Sequence, residues 1–153
     1  MPKTASIAKH PIHAMLVPFP IGLWVFSLVA DLIAMSRWGN PSWTDAARYT
    51  MAGGIVGAAL AAAAGLVDFF TLKGATVRRL GVAHLTLNVV ILAIFIVNFL
   101  LRTSGQASSA VTVSMSVVAV LLLGASGWLG GELVYVHGVA VEAASEPEPG
   151  RSR

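Results

Sequence analysis

The chain contains no cysteine among its 153 residues. That absence excludes disulfides, thiolate zinc sites, iron–sulfur ligation and c-type haem attachment together. Charge is scarce as well: 11% of residues are charged, against about a quarter in an ordinary soluble chain. A soluble fold of this length needs more charge than that to cover its surface. With 56% hydrophobic residues and a mean hydropathy of +0.79, the excess apolar surface must face lipid. The net charge of +3 belongs to loops and tails, so it bears on membrane orientation and not on nucleic acid.

Other absences bear on function. The paired Glu-x-x-His motifs of carboxylate di-iron bundles are missing, as is His-Glu-x-x-His. There is no hydrolase triad pattern and no glycine loop built to cradle phosphate. Catalysis has no positive signal. The basic N-terminus lacks a small-residue cleavage pattern, so the first apolar stretch is expected to be retained as a helix.

Four apolar stretches are present, each near the roughly 20 residues that cross a hydrocarbon core. They run from about Pro20 to Ser36, Ala47 to Leu72, Leu80 to Leu101 and Ala110 to Val136. The short polar links between them force neighbouring helices antiparallel. The expected fold is an all-α, up-down bundle of four transmembrane helices, one domain over 1–141 with a disordered tail over 142–153. Pro18 and Pro20 would kink a helix interior, so His10 to Phe19 is read as a short interfacial arm.

Lys3, Lys9, Lys73, Arg78, Arg79, Arg151 and Arg153 fall on one side; only Arg37, Arg48 and Arg102 fall on the other. This imbalance places both termini in the cytoplasm, and the expected location is a bacterial inner membrane.

Small residues recur in the second helix at Gly53, Gly57, Ala61 and Gly65, and in the fourth at Gly127 and Gly131, with Gly124 and Gly130 nearby. Such spacing allows close helix approach, or leaves a slot for a flat cofactor. The spacing does not separate the two.

Ionisable groups inside a bilayer are costly, which makes each a candidate for function. Threading the chain brings His10, His13, Asp68, His84, Glu132 and His137 to one membrane face, with Asp31 alone toward the other. His84 and Asn88 share a helix face that Ile91, Phe95 and Asn98 continue. Glu132 and His137 diverge by about 140° and need not serve one site. Histidines on different helices of a bundle can hold haem iron axially. The expected haem b ligands are His84 and His137, with His13 next. His10, Asp68, Asn88 and Glu132 are then supporting groups or alternative metal ligands. The competing site is an iron or zinc ion held by His13, His84 and His137 with a carboxylate. A polar layer that is purely structural, with no cofactor, is the third reading. A proton or ion pathway is disfavoured, because these groups gather at one face instead of forming a chain across the membrane.

The segments His10-Pro11-Ile12-His13, Met15-Leu16-Val17 and Phe19-Pro20-Ile21-Gly22-Leu23 resemble the opening signature of the bacterial membrane protein family called domain of unknown function 2231. Ala64-Gly65-Leu66-Val67-Asp68, His84 with Asn88, and the stretch from Gly127 to Val139 are similar to its later motifs. The resemblance covers nearly the whole chain. It implies a four-helix inner-membrane protein. Because relatives are sometimes joined to Rieske-type or cytochrome c-type domains, it also implies a redox setting. Two departures matter: Ala14 stands where many members carry Pro, and Pro18 where some carry a further His. If that further His is a ligand in those members, its absence here weakens the haem reading or shifts ligation to His13. With no redox domain appended, a separate redox partner protein is expected, together with the lipid bilayer, and an oligomer is compatible.

Overall fold

A chain crossing lipid must satisfy its backbone internally, and this one does so with helices. The structure is a computed structural model and describes residues 5–7 and 10–141. The C-terminal tail and Lys3, Lys9, Arg151 and Arg153 lie outside the described residues.

The arm opens as a small antiparallel hairpin of β1 (Ser6–Ile7) and β2 (His10–Pro11), followed by α1 (Ile12–Leu16) and α2 (Pro18–Ala34). Here the structure differs from the sequence expectation. Pro18, expected in the arm, joins Pro20 in the first turn of α2, where a missing N–H removes no bond within that helix. Ile12–Ala34 thus reads as one 23-residue span, with Val17 between α1 and α2 in helical conformation.

Three longer spans follow: α3 (Pro41–Phe69), α4 (Ala75–Ser104) and α5 (Ser109–Gly131), the last extended by a π-helical turn over Glu132–Val136. Each is long and apolar enough to cross a membrane. Local chemistry fixes their ends. Asn40 caps α3 by accepting from the Ser42 N–H at 3.0 Å, with Pro41 at the first helical position. Gly105 ends α4 in the left-handed region at φ 67°, which glycine enters without steric cost.

The bundle closes as a ring in which α2 packs on α3, α3 on α4, α4 on α5 and α5 on α2. At its centre Trp24 stacks on Phe95 across the diagonal, with ring centroids 4.2 Å apart and planes 11° from parallel. Met51, Ile91, Ala119 and Leu123 complete that layer. The outer faces stay apolar and exposed, as at Val56, Leu100 and Leu121, which suits contact with acyl chains.

Glycines of α3 serve tight packing against α2. Gly54 lies against the Trp24 indole, Gly57 against Pro20 and Gly53 against Leu23. Gly124 and Gly127 face open space.

Candidate functional site

Two buried polar clusters lie at opposite ends of the bundle, separated by the Trp24–Phe95 layer. At the end nearer the N-terminal arm, His13 on α1 and His84 on α4 bring their imidazoles to a centroid separation of 6.4 Å, with planes 88° apart. His13 donates from Nδ1 to the Ala61 carbonyl on α3 at 2.8 Å. His84 donates from Nδ1 to the Ser126 carbonyl on α5 at 3.0 Å. A carbonyl can only accept, so Nδ1 carries the proton in each ring, and Nε2 is the lone-pair nitrogen when the ring is neutral.

Glycines make these contacts possible. A Cβ at Gly65 would lie 2.8 Å from His13 Nδ1, and one at Gly130 would lie 3.2 Å from His84 Cε1. The close approach seats an imidazole on a helix backbone. Asn88 completes the cluster: its amide nitrogen lies 2.7 Å from Ser126 Oγ, 2.8 Å from the His84 carbonyl and 3.2 Å from His84 Nε2. An amide has two N–H donors and three acceptors here, so the longest contact, to Nε2, has the weakest hold.

The other expected site residues are placed as follows. His10 is exposed on β2. Asp68 is buried and accepts from the Ala5 N–H at 2.8 Å, which ties the arm to the end of α3. Glu132 opens the π-helical turn, half-buried. His137 is exposed beyond that turn, its backbone N–H donating to the Glu132 carbonyl. The ring anchors of His13 and His84 are therefore backbone carbonyls, and the partner brought to His84 is His13. Among the described residues, no three His, Cys, Asp or Glu side chains converge so as to hold a metal ion.

The second cluster is one that the sequence reading misses. Asp31 is not isolated: Arg102 meets it with two parallel hydrogen bonds of 2.6 Å. Arg102 also donates from Nε to Asn98 Oδ1 at 2.9 Å, while Asn98 donates to the Thr112 carbonyl and Ser116 Oγ. Arg102 belongs to the last turn of α4 and not to the following loop. Its charge is neutralised inside the bundle. Two opposite charges at one depth in separate spans are the signal that could have revealed the pair.

A bundle of four membrane-length helices, tied at both ends by buried polar side chains, defines an integral membrane protein. Residues 9–143 match the family model described as predicted membrane protein, domain of unknown function 2231, and the chain belongs to that family. No curated protein and no solved structure matches it.

Proposed function

We propose that His13 and His84 would together hold a haem iron, and that the chain is a redox-linked membrane protein. One observation carries this reading: two imidazoles from different helices meet with their planes at right angles, each oriented by an Nδ1–H bond to a carbonyl. Metal–nitrogen bonds are about 2 Å long, so two imidazoles that share one metal ion must stand within a few ångströms of each other. The observed centroid separation is 6.4 Å. A bare iron or zinc ion commonly takes three or four protein donors, whereas a porphyrin supplies four itself and asks for two. The absence of a third converging donor among the described residues therefore favours haem over a bare ion. Bound haem would supply one-electron exchange, with a separate protein as electron partner.

Purified protein expressed with haem should show a Soret band. H13A and H84A should each abolish most of it, while H137A should leave it intact. A blank spectrum with stoichiometric iron or zinc by metal analysis would replace haem by an ion. If both are blank in folded protein, the structural reading stands instead. That reading has its own support, since no buried side-chain nitrogen or oxygen among the described residues lacks a hydrogen-bond partner.

We also place the histidine end at the cytoplasmic face of a bacterial inner membrane. With Arg102 paired inside the bundle, that end keeps Arg37 in its loop and Arg48 near the start of α3, the latter bound to Asp45 at 2.9 Å. The lysine and arginine imbalance is larger than the raw sequence suggests. A cytoplasm-active reporter fused at the C-terminus should be active and one fused in the loop at Gly105 inactive; the reverse pattern rejects this orientation.

A further inference from the structure

Asp31 and Arg102, which form the ion pair, lie 71 positions apart in the sequence. The stacked pair Trp24 and Phe95, and the histidine pair His13 and His84, are separated by the same interval. Each of these three contacts across the bundle diagonal thus joins a residue to its own counterpart under one shift. Along each half the positions are spaced by about three turns and then about two, so they form one stripe.

The second helix of each half repeats in the same way. The buried residues of α3 are Ala47, Met51, Gly54, Ala61 and Asp68. Their counterparts at a second constant shift are Thr112, Ser116, Ala119, Ser126 and Leu133, all buried. The hydrogen bonds correspond too. His13 to the Ala61 carbonyl matches His84 to the Ser126 carbonyl. Ser27 to the Ala47 carbonyl at 2.8 Å matches Asn98 to the Thr112 carbonyl at 2.8 Å. Gly65 under one imidazole matches Gly130 under the other. The ring of helix contacts is unchanged when the halves are exchanged.

A residue meeting its own equivalent is the mark of an isologous, two-fold contact. Because α2 and α4 run the same way, the axis lies along the bundle, as in parallel internal repeats of membrane proteins. We infer that the chain is a duplicated two-helix hairpin folded as a fused pseudo-dimer, with His13 and His84 as equivalent half-sites of one site on its axis. This does not rest on haem or any other ligand.

The departures from symmetry then acquire meaning. Two identical hairpins would set like charges against each other at position 31 or 102. Asp opposite Arg makes each half complementary to the other and not to a second copy of itself. At the histidine end the counterpart of Asn88 is Val17, so His84 alone has an amide beside it.

Reciprocal exchange of counterparts in the full chain tests the inference. The variant S27N/D31R/M51S/N98S/R102D/S116M moves the whole charged cluster to its counterpart positions. It should melt within about 5 °C of the natural protein in detergent, while D31R and R102D alone should each lose roughly 10 °C or fail to fold. A second exchange without charges, W24F/G54A/F95W/A119G, moves the larger indole together with its glycine. Near-natural melting of either exchange variant supports the two-fold relation. Loss of the fold in both overturns it.

Discussion

Truncating Arg102 to alanine should destabilise the bundle by roughly 3–5 kcal/mol, because it strands the Asp31 carboxylate away from water. Asp31 is 4% exposed, and its two oxygens are taken up by the guanidinium. D31A should cost a similar amount by leaving the guanidinium without its main partner. Removing both charges should cost much less: D31L/R102M should recover most of the loss, since the pair's mutual attraction largely offsets the desolvation of both ions. Thermal unfolding in detergent, followed by circular dichroism, checks the order. A double variant as unstable as R102A would show that the network around Asn98 and Ser116 carries the stability, and not the charge pair.

The second large effect is expected at Gly54. A methyl group there would collide with the Trp24 indole, which is pinned on its other face by Phe95 and whose Nε1 donates to the Met51 carbonyl at 3.3 Å. Neither ring has slack to move. G54A should therefore cost on the order of 1–3 kcal/mol despite alanine's better helix propensity. Gly124, where an added methyl group would meet nothing within 4 Å, is the matched control, and G124A should be neutral or slightly stabilising. Equal melting of the two variants would mean that the α2–α3 contact yields easily.

Hydropathy alone makes the four spans and their antiparallel order legible, because a bilayer leaves so few solutions for a backbone. The shared face of His84, Asn88, Ile91, Phe95 and Asn98 is legible too, from helical period: Ile91, Phe95 and Asn98 are all fully buried. The partner of His84 is harder to read. His137 directly follows a long span and His13 stands on what reads as an arm, and only the placement of Pro18 and Pro20 in the first turn of α2 brings α1 into the bundle. The ring anchors cannot be read at all, since every residue offers a carbonyl and the choice of Ala61 and Ser126 depends on packing. Arg102 reads as a loop residue because it lies at the hydropathy boundary of its span. The glycines do mark sites of close approach, but at Gly65 and Gly130 the approaching group is an imidazole and not a neighbouring helix.

The Trp24–Phe95 stack has a consequence for traffic through the molecule. Two large stacked rings, packed among Met51 and Ile91, fill the middle stratum of the bundle with apolar side chains. Any molecule or ion reaching the two histidines through the bundle interior from the Asp31–Arg102 end would have to displace that stratum, so the two polar clusters stand as separate sites at separate ends.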